Sequence, residues 1–323
     1  MRVPGCLDGV GAERRGPYGA RHAGQERAER PRVSRVRRGA WQHLGAAADR
    51  RRRGDGRGRV AQGGGAGRVP TVPARPRGPV RGAETLANVA LVSSSDSLAL
   101  DNEVAWQSLL GTEEILLRSQ LLFDVVFAAD LSSLHKYALA VVPNQRCLAD
   151  DTCARLLEFV DAGGRALVTG NSGNRDEHLR LRLASPLTSL RENPRAVWLD
   201  GCPEAVVPVA DHALKVPRPA GLDQVVQAVS SLLGDRRPIR VSAPEEVFVE
   251  GYRLPNGRRT FHFVNYASDR LVEGATATVS PPATGATWHT PEETAALDVS
   301  LTEGGKAVCL PNWQTYGVLV LEA

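Results

Sequence analysis

Phe123–Gly170 reads FDVVFAADLSSLHKYALAVVPNQRCLADDTCARLLEFVDAGGRALVTG. Three short runs of branched and aromatic residues, Phe123–Phe127, Ala138–Val142 and Arg165–Thr169, have the length and composition of buried strands. Asp130–Leu134 between the first two predicts a short capped turn or helix, and Pro143 closes the second. Between the second and third, Leu156, Leu157 and Val160 recur at helical spacing. Asp150 and Asp151 sit where an N-cap and a first-turn acid belong, and Gly163-Gly164 supplies a left-handed stop. Strand, helix, strand in that order predicts parallel pairing, because a crossover of this length returns the chain in the same direction.

The pattern extends outward in both directions. Leu86–Ser93 predicts a strand. Asn102–Gln120 predicts a helix with Trp106, Leu109, Leu110, Leu117 and Leu121 on its apolar side and Gly111 weakening its middle. Ala196–Leu199 predicts a fifth strand, and Leu222–Leu233 a closing helix ended by Gly234 and Pro238. The expected fold class is α/β: a Rossmann/flavodoxin-like parallel sheet with helices on both faces, over about 84–236.

Past Pro238 the apolar period changes to two. Ile239–Ser242, Val247–Arg253, Thr260–Tyr266, Ala275–Val279, Ala307–Leu310 and Tyr316–Leu321 predict strands separated by turn residues. Residues 237–323 are therefore expected to form a small antiparallel β-sandwich.

Ligands in open parallel sheets bind beyond the carboxyl ends of the strands. Those ends carry Ser93–Asp96, Pro143–Arg146 and Gly170–Gly173. None is a GxGxxG dinucleotide turn or a GxxxxGK[ST] phosphate loop, so no cofactor is expected. Asn144, Asn171 and Asp176 are the candidate cleft or sugar contacts, beside the reading that these tips are ordinary loop chemistry. Arg175 and His178 flank Asp176 in the same polar patch. Cys147 and Cys153 read as packing residues, since neither lies in a glycine-flanked turn. Cys202 and His212 could form a dyad only if the chain between them folds back. The acid pairs Asp176-Glu177, Glu245-Glu246 and Glu292-Glu293 are sequence neighbours that point apart, a poor source of opposed catalytic carboxylates. No catalytic residue and no metal site is assigned.

The ordered motifs of the opening stretch resemble one domain of microbial family-42 β-galactosidases and related glycoside hydrolases. Phe123–Val126, Leu131–Tyr137, Val142–Asn144 and Ala162–Thr169 carry the likeness, and the FHFVNY and PNWQTYGVLVLE segments are similar to the small β domain that ends such enzymes. The resemblance covers about Leu86–Ala323. It implies a class I glutamine-amidotransferase-like domain that makes a trimer and walls the active site. It also implies that the catalytic carboxylates belong to a preceding (β/α)₈ barrel of about 250 residues, which the 83 preceding residues do not supply. The expectation is an assembly or scaffold part of a β-galactosidase-like hydrolase, acting as a homo-oligomer. The rivals are a hydrolase whose barrel is encoded upstream and a carbohydrate-binding module.

Residues 1–82 hold 20 arginines, no lysine and 17 of the 32 glycines. With 6 acidic residues they carry +14, against −10 for the remainder, which gives the net +4. Such a composition cannot bury enough apolar surface to fold, so disorder is expected over 1–83. A basic nucleic-acid arm around Arg51–Arg59 and a GC-rich frame translated out of register both fit, and the last is the expectation; an organelle transit peptide fits less well, since serine is scarce and no amphipathic helix emerges. The acidic remainder gives no electrostatic reason to bind nucleic acid. Five scattered cysteines argue against a disulfide framework. No apolar run has the length of a membrane span or secretory signal, so a cytoplasmic protein with no membrane partner is expected.

Overall fold

The computed structural model describes residues 82–202, 221–267, 269–302 and 305–322. The Arg/Gly-rich segment to residue 81 and His212 lie outside them.

The described residues open with a two-residue strand, β1 (Glu84–Thr85), and then build the parallel sheet. Its strands are β2 (Val89–Ser93), β3 (Phe123–Phe127), β4 (Leu139–Pro143), β5 (Arg165–Thr169) and β6 (Ala196–Leu199), ordered β3-β2-β4-β5-β6 and paired in parallel throughout. In order of appearance within the sheet this is 2-1-3-4-5, the flavodoxin-like winding. β2 and β4 are buried along their whole length, as both-face coverage requires.

The helices are α1 (Ser95–Leu100), α2 (Asn102–Arg118), α3 (Asp150–Asp161) and α4 (Leu222–Leu233), with 3₁₀ segments at Ala128–Lys136 and Pro186–Glu192. One face of the sheet packs Ala90, Val92, Val142 and Val168 against Leu131, Leu156, Val160 and Leu187. The other packs Leu91, Val141 and Leu167 against Leu109, Ile115, Val225, Val229 and Leu232. Helices on both faces are thus present as expected.

Local details differ from the sequence reading for physical reasons. α3 starts at Asp150, so both Asp150 and Asp151 lie in the first turn, where a carboxylate offsets the helix dipole. The cap position is Ala149, which has no side-chain bond to give. The helix ends as expected, with Gly164 N donating to Phe159 O (2.9 Å) and Gly163 N to Val160 O (3.0 Å). Gly163 holds φ +104°, and a Cβ on Gly164 would come within 2.4 Å of the Phe159 ring. The double glycine thus serves backbone conformation at one position and ring packing at the next. α2 runs unbroken through Gly111. Its buried face is Ala105, Ser108, Leu109, Thr112, Ile115 and Leu116, while Trp106 lies towards solvent.

The antiparallel part forms two sheets. One has six strands: β1, β8 (Val247–Arg253), β9 (Arg259–Asn265), β11 (Gly285–His289), β12 (Thr294–Leu297) and β15 (Tyr316–Glu322), in the order β1-β8-β9-β15-β11-β12. The other has four: β7 (Ile239–Ser242), β10 (Thr276–Val279), β13 (Val299–Thr302) and β14 (Gly305–Cys309), in the order β13-β14-β10-β7. Alternate residues of β8, β9 and β15 face a core around Phe261, Phe263, Trp288 and Trp313. The Trp288 and Trp313 rings meet edge-on at 5.1 Å.

The α/β part is tied to this sandwich. β1 pairs antiparallel with β8, and Leu122 is buried in the sandwich core. Gln120 donates from Nε2 to the carbonyls of Pro244 (3.2 Å) and Val247 (3.3 Å).

Candidate functional site

The winding order places a switch point between β2 and β4, and ligands of this fold class enter the crevice beyond those strand ends. Here the crevice is occupied by the protein's own side chains. Ser94, leaving β2, donates its backbone N–H to Gln145 Oε1 at 2.8 Å. Gln145 Nε2 donates to Pro143 O at 2.9 Å. Ser94 Oγ and Ser97 Oγ both donate to Cys147 O, at 2.7 and 2.9 Å, and Cys147 N returns a bond to Ser97 Oγ at 2.9 Å. Ser94, Ser97, Gln145 and Cys147 are all completely buried.

The local sequence explains the closure. Ser94 is the N-cap of α1, its Oγ accepting from Ser97 N at 3.2 Å, so the chain turns into a helix directly over the crevice. α1 departs from the sequence reading, in which Ser93–Asp96 is a polar strand tip; the segment carries the first turn of a helix. A six-residue helix has too little periodicity to announce itself, although a serine before an acidic first turn is a usable signal.

Beside this web, Asn144 adopts φ +47° at the end of β4 and is 7 % exposed. Its Oδ1 accepts from Asn171 N at 2.9 Å, and its Nδ2 reaches Ser108 Oγ at 3.4 Å. Gly170, after β5, has φ +56°, and a Cβ there would come within 2.5 Å of Asn144 Oδ1. Two expected site residues, Asn144 and Asn171, are thus brought together, and Asn171 remains exposed at the rim. Asp176 is bound to its own loop: Oδ1 accepts from His178 N (2.9 Å) and Arg180 N (2.8 Å). Lost hydration pushes its carboxyl upward, but those two N–H donors and nearby positive charge prevail and hold it below the usual range.

The cysteines fall into two groups. Cys147 and Cys153 have no exposed surface; burial raises both thiols, Cys153 to about 11. That is the environment of a packing residue, not of an activated thiolate. Cys202 Sγ lies 2.9 Å from Ser108 Oγ and 3.7 Å from Thr169 Oγ1. A hydroxyl is no base for a thiol. Sequence reading misses Ser108, which links Asn144 to Cys202 from the buried face of α2. Among the described residues no cluster of three His, Cys, Asp or Glu side chains could hold a metal, and no helix is long and apolar enough to cross a membrane.

Next to this cleft is an arm of a different character. After β5 the chain runs through His178-Leu179-Arg180-Leu181-Arg182-Leu183. Arg182 turns inward, donating to the carbonyls of Leu148 (2.9 Å) and Gly173 (3.1 Å) and pairing with the Asp150 carboxylate. Its neighbours Leu181 and Leu183 are 70 % and 110 % exposed. Leu181 sits in an isolated antiparallel bridge with Arg175, and anchoring Arg182 inward leaves the leucines on either side of it outward.

Comparison with known proteins is consistent with this geometry. Residues 114–194 match the family described as the β-galactosidase trimerisation domain. No curated protein matches the sequence. Among solved structures, α-L-fucosidase isoenzyme 2 of Paenibacillus thiaminolyticus is similar at 14 % identity and TM-score 0.51, over 74 % of this chain and 49 % of that one. A β-galactosidase of Rahnella sp. R3 is similar at 16 % identity and TM-score 0.50, over 75 % of this chain and 42 % of that one. The chain thus spans less than half the length of either protein, and the likeness is one of fold. From its sequence, the segment 114–194, which contains α3, the Gln145 and Cys147 side of the closed cleft and the leucine arm, is a match to the β-galactosidase trimerisation domain.

Proposed function

We propose that the chain is an assembly element of a β-galactosidase-like glycoside hydrolase, cytoplasmic and without chemistry of its own at the strand ends. The reading rests on one observation above others: inside the segment that matches the trimerisation domain, a rigidly anchored arm holds Leu181 and Leu183 in solvent. Burying a leucine side chain contributes about 1.5–3 kcal/mol, so the pair supplies about 3–6 kcal/mol to each contact between copies. The filled switch point supports the same reading, because a crevice closed by four buried residues leaves no floor for a substrate.

Sedimentation velocity at micromolar concentration tests it. The full chain should sediment as a homo-oligomer, a trimer by the family match. The double variant Leu181→Asp/Leu183→Asp should sediment as a monomer with unchanged circular dichroism. A monomeric wild type, or a double variant that stays assembled, contradicts the proposal.

A second reading, carbohydrate contact at the cleft rim, has the exposure of Asn171 beside Asn144 in its favour. Sugar binding lost on Asn171→Ala would support it.

A further inference from the structure

At the opposite end of the parallel sheet lies a cavity of about 380 Å³, walled by the start of the described chain, the Asp235–Pro238 connection and the β8, β9 and β10–β11 ends. Lys136, Arg236, Arg237, Arg253 and Arg259 line it, against two carboxylates, Glu84 and Asp235. Asp235 is already bound by Arg240 at 2.6 Å.

Arg259 is the unusual member. It is 5 % exposed and sits directly opposite Arg253 across the β8–β9 pair. Its Nη2 donates to Pro281 O at 2.6 Å, while its buried Nη1 has no partner among the described residues. Like charges placed opposite each other across a sheet repel, and a buried guanidinium with unused donors bears a large desolvation cost. Burial and the Arg253 charge both push the Arg259 pKa down, in keeping with that tension. Glu84 is in register with Arg253 on its other side, but the register partners of Arg259 are Arg253 and Leu321, so its unpartnered Nη1 is available to an anion.

We propose that this cavity binds an oxyanion, a phosphate or carboxylate group carried by a small molecule. The forked, fixed geometry of guanidinium donors matches the oxygens of either group. The volume exceeds that of a bare anion and lies within the range of small-molecule sites, so the charged group is one end of a larger ligand. The site shares no residue with the strand-end cleft or the leucine arm, and it stands whether or not the chain assembles.

Isothermal titration of the full chain with inorganic phosphate, and separately with citrate, at constant ionic strength tests the proposal. Saturable binding of at least one anion at a single site is expected, about tenfold or more weaker in Arg253→Gln and lost in Arg259→Gln. Tighter phosphate assigns a phosphate ester and tighter citrate a carboxylate. Arg155→Gln, an exposed α3 residue paired with Asp151, should bind as wild type does. Arg253→Gln is exposed enough to fold normally, so it decides the matter even if Arg259→Gln does not fold. Absence of saturable binding of both anions overturns the proposal, as does equal weakening by Arg155→Gln and Arg253→Gln.

Discussion

Replacing Gln145 with leucine separates a structural plug from a ligand-binding residue. The two side chains are close in volume, so the change removes polar atoms with little change in packing. Ser94 N–H, buried and 2.8 Å from Gln145 Oε1, loses its acceptor. Leaving a buried donor unsatisfied costs about 1–3 kcal/mol. Pro143 O loses the 2.9 Å donor from Nε2, which adds about another 1 kcal/mol. Together Gln145→Leu should destabilise the chain by about 2–4 kcal/mol. With a urea m-value of about 3 kcal/mol per M for a chain of this size, the unfolding midpoint falls by about 1 M. Urea denaturation followed by tryptophan fluorescence reads this directly, since Trp198 reports on the parallel sheet and Trp288 on the sandwich. A midpoint within about 0.2 M of wild type would refute the reasoning, because it would mean that water or an open cleft already serves Ser94.

Three further outcomes follow from local geometry. Gly317→Ala places a Cβ 2.0 Å from the Trp288 ring and should cost at least the about 1–3 kcal/mol typical of overpacking, measured by the same denaturation. Burial lowers the His262 pKa, so the unfolded chain binds its proton first as pH falls; His262 stability is full above about pH 6.5 and declines below it. His262→Gln should flatten the loss of stability between about pH 7 and about pH 5, and an unchanged slope would count against that burial. Iodoacetamide applied to the native chain at about pH 8 should label exposed Cys309 well before Cys147 and Cys153, whose thiols are buried and raised; peptide mass spectrometry would show the order.

The parallel sheet is legible in the sequence because its strands are both-face buried and read as plain apolar runs. Phe123–Phe127, Arg165–Thr169 and Ala196–Leu199 have the boundaries the sequence implies, and Leu222–Leu233 does too. The first strand begins later than its apolar run: Leu86 and Ala87 pack against the sandwich, and β2 starts only at Val89. Gly285–His289, Thr294–Leu297 and Val299–Thr302 carry no clear strand signal, since they are short, rich in threonine and alanine, and interrupted by charged turns. Their strand character comes from tertiary pairing, with Trp288 opposite Leu319 of β15. The 3₁₀ segment Pro186–Glu192 is also absent from the sequence reading, although Ser185 before Pro186 is a standard cap and first-position pair.

At the site the same division holds. The strand ends are locatable from sequence, and the proximity of Asn144 to Asn171 follows from β4 and β5 being neighbours. The closure does not follow, because it depends on Gln145 turning back towards β2 and on Ser97 arriving from α1. Both are long-range contacts that no local pattern encodes. The outward leucines are hidden for a related reason: HLRLRL reads as simple alternation until Arg182 is seen bound to the carbonyls beneath it.

Residue-resolved amide hydrogen exchange of the native chain probes the closed cleft most directly, at Ser94 and Cys147. Their N–H groups donate to Gln145 Oε1 and Ser97 Oγ. Protection as strong as that of Leu91 in the inner strand β2, unaltered by added sugar, is the result a filled switch point predicts. Exchange at loop-like rates, or protection that appears only when sugar is added, would show a crevice open to ligand and contradict it.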